Sequence, residues 1–154
     1  VKKMKKFAKN FHQQRLLFFC LSLVLLLTAA CEKPKEGKVV VSEQEFAIRQ
    51  DAPNSWVIDA KGKVKNVGGA DVKNVEVTGY CRSCGEVFTM GSWYVSEYDK
   101  TPEQKDVIRY LPAGAQEDFS FTGVAFMPDQ SGKGPDQLPD NLECEIVSFE
   151  TVDK

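Results

Sequence analysis

The chain has 154 residues, with 20 Lys and Arg against 22 Asp and Glu and a single histidine, a length that holds one domain and little more. That histidine, His12, lies in the first thirty residues, so the remainder has no imidazole for a Ser-His-Asp or Cys-His nucleophile or for a histidine zinc site. No glycine-rich phosphate loop follows a strand and opens a helix.

Residues 1–30 read as a secretory leader. Lys2, Lys3, Lys5, Lys6, Lys9 and Arg15 precede an apolar run from Leu16 to Leu27, which ends in Thr28-Ala29-Ala30-Cys31, the three parts of a signal peptide in order. The run is about 12 residues, short of the roughly 20 that span a bilayer. Small residues ahead of a cysteine resemble the permissive bacterial lipobox, which implies cleavage after Ala30 and lipidation of Cys31. The expected product is exported and held in the bacterial cell envelope by its acyl chains, without a membrane helix. Glu32 after the cysteine favours the outer membrane in a cell that has two.

Removal of the leader takes away six of the 20 basic residues and none of the acidic ones, leaving 14 against 22, a net of about −8. A domain this acidic is not expected to bind nucleic acid, whose phosphates need a basic face. Residues 31–37, with Lys33, Pro34, Lys35 and Glu36, are expected to be a tether and residues 38–154 the folded domain.

From Lys38 onward the hydrophobic period is two. A first strand is expected from Val39 to Ile48, before the turn formers Asp51-Ala52-Pro53-Asn54. Trp56, Ile58, Ala60, Gly62 and Val64 then alternate with Asp59, Lys61, Lys63 and Lys65, which predicts one core face and one wet face. After an Asn66 to Asp71 turn, Val75 and Val77 continue the alternation toward Gly79 and Cys81. A strand from Glu86 to Tyr98, a polar loop from Asp99 to Asp106 and a short strand from Val107 to Leu111 follow. Strands through Phe119 and Phe121 and over Val124 to Met127 lead to a long loop, Pro128 to Asn141, and a last strand from Leu142 to Val152. About seven short strands without an amphipathic helix predict an all-β antiparallel sandwich.

Gly62-Lys63-Val64-Lys65-Asn66, the valine-rich strand after it, Gly85-Glu86-Val87, Leu111-Pro112-Ala113-Gly114 and Phe119-Ser120-Phe121 resemble the FxLYD-type domains, small immunoglobulin-like sandwiches of exported prokaryotic proteins. The resemblance spans about Val39 to Phe126 and implies an immunoglobulin-like fold but no catalytic residues. At the five positions that name the family this chain has Thr78, Gly79, Tyr80, Cys81 and Arg82.

Three cysteines remain after the leader and Cys31: Cys81, Cys84 and Cys144. In an oxidising compartment a disulfide is the default; Cys81 and Cys84 could close a small loop, or Cys144 could pair with either and staple distant strands. The same three could instead form part of a metal site, or Cys81-x-x-Cys84 a redox pair. Trp93, Tyr94 and Tyr98 suggest an aromatic platform for a sugar or peptide, although alternation puts Trp93 on the face opposite the two tyrosines. Asp129, Asp136 and Asp140 suggest calcium but lack the spacing of a dedicated loop. The expectation is a lipid-anchored, non-enzymatic module without a cofactor that binds a protein partner. The alternative is a thiol or metal protein using Cys81, Cys84 and Cys144.

Overall fold

The structure is a computed structural model that describes residues 35–96 and 99–152. The expected leader with its cleavage site at Ala30, the expected lipidation site Cys31, and Tyr98 lie outside the described residues.

Two antiparallel sheets form the fold. The first sheet contains β1 (Val39–Ala52), β2 (Ser55–Asn66), β5 (Gln116–Phe121) and β6 (Phe126–Pro128), with β1 on one side of β2 and both β5 and β6 on the other. The second has the order β4 (Lys105–Leu111), β3 (Val72–Cys81), β7 (Leu142–Thr151). The seven strands make an all-β sandwich, as the period-two pattern predicts.

Proline and asparagine set the first hairpin. Ala52 pairs with Ser55 across Pro53 and Asn54, where proline pre-sets one turn dihedral. β1 therefore runs four residues beyond the expected Ile48. A register shift between Val41 and Glu43 brings the Glu43 carbonyl within 2.1 Å of where a Cβ on Gly62 would stand. Only glycine fits opposite that irregularity.

The expected core face of β2 is observed. Ile58, Ala60 and Val64 are buried, and they meet Val72, Val75, Val77 and Leu111 of the second sheet, with Phe119 and Phe121 stacked at 5.7 Å between ring centroids. Each large aliphatic side chain removed from water contributes about 1.5 to 3 kcal/mol. Backbone-to-side-chain bonds close the edges between the sheets. The Cys144 amide donates to Gln44 Oε1 at 2.8 Å, joining β7 to β1, and the Ser120 amide donates to Asp106 Oδ2 at 3.0 Å, joining β5 to β4.

The Trp56 indole N–H is buried without a hydrogen-bond partner, but the polar groups of Thr78 and Gln104 are paired, as burial in low dielectric demands. Thr78 Oγ1 donates to the Gln104 carbonyl at 2.6 Å, and Gln104 Nε2 donates to the Gly123 carbonyl at 2.8 Å. Gln104 ends a 3₁₀ turn (Pro102–Gln104) inside the stretch expected to be a plain polar loop.

Among the described residues 86–96, the strand expected from Glu86 to Tyr98 is not formed. Residues 85–96 instead make an irregular arm with single bridges at Gly85 and Tyr94. Gly91 adopts φ +73° and the Ser92 amide donates to the Thr89 carbonyl, so the backbone turns at the tip where a strand would have continued.

Register fixes the two ends of the sandwich. Val39 pairs with Asn66 at one end and Ala52 with Ser55 at the other, about 35 Å away along twelve residues of strand. Glu36 and Lys38 dock at the first end, where their carbonyls accept from Gly69 and Val67. The arm meets the sheet at the second end, through paired backbone bonds between Tyr94 and Phe126 of 2.9 Å each. The chain thus enters the domain at the pole opposite the arm.

Candidate functional site

The cysteines lie at the base of the arm. Cys81 and Cys84 form a disulfide with Cα atoms 5.4 Å apart, and Cys144 is a free, buried thiol. Cys144 pairs in register with Gly79, while Cys81 pairs with Leu142. Cys144 is therefore diagonal to Cys81 on the same face, whereas the turn after β3 returns Cys84 directly to it. Of the pairings that spacing left open, the short-loop bridge is the one formed. Burial pushes the Cys144 thiol up to about 12, because a thiolate would lose its hydration there. Among the described residues no three Cys, His, Asp or Glu side chains gather as a metal site.

The acidic loop is likewise accounted for by its own backbone. Asp129 accepts from the Ser131 amide at 2.8 Å, the Ser131 hydroxyl at 2.7 Å and the Gly134 amide at 3.1 Å. These donors hold its carboxyl below the ordinary aspartate range. Asp136 and Asp140 are exposed, and the Asp140 carbonyl accepts from the Ser83 hydroxyl. Asp129 thus serves as an internal loop cap.

The arm carries the least expected surface. All residues from Gly85 to Ser92 are exposed, including Val87 at 68%, Phe88 at 58% and Met90 at 49%. Three sizeable apolar side chains in four positions on one exposed loop form a patch that water does not favour. The arm is nonetheless anchored at both ends. The Gly85 amide donates to the Trp93 carbonyl at 3.1 Å, Val95 returns a bond to Gly85 at 2.9 Å, and the Gly91 amide donates to the Pro128 carbonyl at 2.7 Å.

Beside the arm lies an open cleft of about 560 Å³. Its floor follows from register: Arg49 pairs with Val57, Val57 with Phe126, and Phe126 with Tyr94. Direct cross-strand partners share a face, so these four side chains form one row across the sheet. Val57 is 1% exposed yet lies outside the main core cluster, because it is buried from the outer side of the sheet. Phe88 packs edge-on against Tyr94 at 5.4 Å, and Tyr94 lies 6.0 Å from Phe126. Edge-to-face contacts of this kind hold rings in defined positions.

Charge lines the opposite side of the cleft. Arg49 Nε donates to Asp59 at 2.8 Å, one terminal nitrogen donates to Asp51 at 3.0 Å, and the other donates to Thr122 Oγ1 at 3.2 Å. Glu103, also on the lining, has no ion-pair partner among the described residues. Its own backbone amide and the Thr101 hydroxyl hold its carboxyl below the ordinary range.

Of the expected aromatic platform, Tyr94 belongs to this cleft and Trp93 packs instead against the core, as strand-like alternation implies. Phe88, Phe126, Val57 and Glu103 were not singled out by sequence. The available signal was Val57, an apolar residue on the face of β2 that otherwise carries Asp59, Lys61, Lys63 and Lys65.

The chain matches no family model, no curated protein and no solved structure.

Proposed function

We propose that this chain is a lipid-anchored, non-enzymatic binding module of the bacterial envelope, related to the FxLYD-type sandwiches, that engages a protein partner through the pole bearing the arm. The observation that carries this reading is the placement of an exposed apolar patch, Val87, Phe88 and Met90, at the end of the sandwich remote from Glu36 and Lys38. A module tethered through Cys31 would direct that patch away from its own membrane. Apolar surface held on an anchored loop favours association over chemistry.

A thiol or metal role for Cys81, Cys84 and Cys144 draws less support. Two of the sulfurs are bonded to each other, and the third is buried with its thiolate disfavoured.

The test is expression of the full chain in a bacterium with an alkyne-bearing fatty acid. Labelling of the wild type that is lost in Cys31→Ser, with membrane-bound wild-type protein, is the expected result. A soluble, unlabelled wild-type protein, or turnover of any substrate that disappears on a single side-chain substitution, would overturn the reading.

A further inference from the structure

We infer that the cleft beside the arm takes an extended segment of a protein partner in which a lysine or arginine sits next to apolar side chains. The inference rests on the binding-module reading and adds to it the chemistry of the partner.

Three observations converge on that occupant. First, the charges around the cleft do not balance. Among the described residues Asp51 and Glu103 line the cleft with one guanidinium, that of Arg49, which already donates to Asp59, Asp51 and Thr122, leaving an excess of about one negative charge at Glu103. A cationic ligand restores neutrality, and the acidity of the domain as a whole would steer it inward.

Second, the opposite wall offers ring faces. Phe88 and Tyr94 are fixed edge to face, and Tyr94 leans on Phe126. A cation between these rings and the Glu103 carboxylate gains from both, and a lysine or arginine stem covers apolar surface while its head is paired. An acidic ligand would meet like charge, and a purely apolar one would leave the Glu103 carboxylate without a counter-charge.

Third, Phe88 of the cleft is flanked on the same arm by Val87 and Met90, both exposed apolar side chains. A compact cation such as a polyamine would fill the charged end and leave this stretch uncovered. An extended peptide spans both, because its alternate side chains can address the carboxylate wall and the arm in turn.

The experiment uses the purified full chain in detergent and fluorescence anisotropy with three labelled decapeptides: alternating Lys and Leu, alternating Glu and Leu, and alternating Lys and Ser. The Lys-Leu peptide is expected to bind more tightly than the other two, and added salt is expected to weaken it. Phe88→Ser and Glu103→Gln should each reduce its affinity about tenfold, the scale of one lost cation–π or charge-pair contact. Glu150→Gln, at the opposite pole, should leave it unchanged. Phe88 and Glu103 are exposed, and near-ultraviolet circular dichroism would verify that both variants keep the wild-type fold.

Equal binding of the Glu-Leu peptide, displacement of the Lys-Leu peptide by spermine as readily as by unlabelled peptide, unchanged affinity in both variants, or no binding at all would overturn the inference. Loss of the inference on these grounds leaves the module reading standing as long as Cys31 is lipidated, so the two failures are distinguishable.

Discussion

Asn66 Nδ2 donates to the carbonyl of Leu111 at 3.1 Å, joining the end of β2 in one sheet to the end of β4 in the other. The same amide donates to the Ala70 carbonyl at 2.9 Å, and Asn66 Oδ1 accepts from the Gly68 amide at 3.0 Å. A side chain with no solvent exposure thereby satisfies three backbone groups and locks the turn against which Glu36 and Lys38 lie. The entry point of the chain is defined by one asparagine.

Asn66→Ala should therefore be among the most destabilising single changes at this pole. It removes the side-chain donor to the Ala70 and Leu111 carbonyls, while the Gly68 amide keeps its bond to the Lys38 carbonyl, at a combined cost of about 2 to 4 kcal/mol. Urea unfolding should show a lowered midpoint with an unchanged slope; a shift of a few tenths of a kcal/mol would mean that water replaces the lost bonds.

Gly134 and Gly114 offer a paired comparison. Both adopt positive φ, +72° and +79°, so alanine at either is strained by about 1 to 2 kcal/mol. A Cβ on Gly134 would also lie 2.4 Å from the Trp56 ring, whereas one on Gly114 meets nothing within 4 Å. Gly134→Ala should cost about 1 to 3 kcal/mol more than Gly114→Ala, measured by thermal unfolding of the two variants side by side.

Cys144 should make stability fall at alkaline pH. Its native value is raised above that of the unfolded chain, so its contribution is complete below about 8.5 and is lost as pH rises toward about 12, at no more than about 1.4 kcal/mol per pH unit. Cys144→Ala should flatten that part of the alkaline limb. In the folded protein the thiol should resist iodoacetamide at pH 8 and react only on unfolding, with one alkylatable cysteine within residues 38–154 of the oxidised 81–84 form.

Cys84→Ser should leave the sandwich folded and loosen the arm. The four-residue loop closed by the bridge corresponds to about 2 kcal/mol of unfolded-chain entropy. Amide exchange should accelerate over residues 85–95 while β2 and β3 retain their protection. Uniform acceleration would mean that the bridge supports the whole domain.

Strand existence was legible in the residues because burial on one face of a pleated strand imposes a period of two, and Ile58, Ala60 and Val64 keep that period without interruption. The turn at Asn66 to Asp71 was legible for a similarly local reason: its residue types suit turn dihedrals. The arm was not. Val87, Phe88 and Tyr94 read like one more strand, and only Gly91, with its positive φ, and the limited pairing at Tyr94 distinguish a bent loop from a ladder.

Composition and near-neighbour pattern were enough for the class of fold, the core face of β2, the acidic excess of residues 31–154 and their lack of histidine, because each depends on residue types or on neighbours a few residues apart. The tertiary structure decided which cysteines pair, that Asp129 caps its own loop, and that Arg49, Val57, Phe126 and Tyr94 form one row. The row joins residues up to 77 positions apart, Arg49 and Phe126 (126 − 49). Strand register sets the row across four segments, and no local period specifies which strand lies beside which.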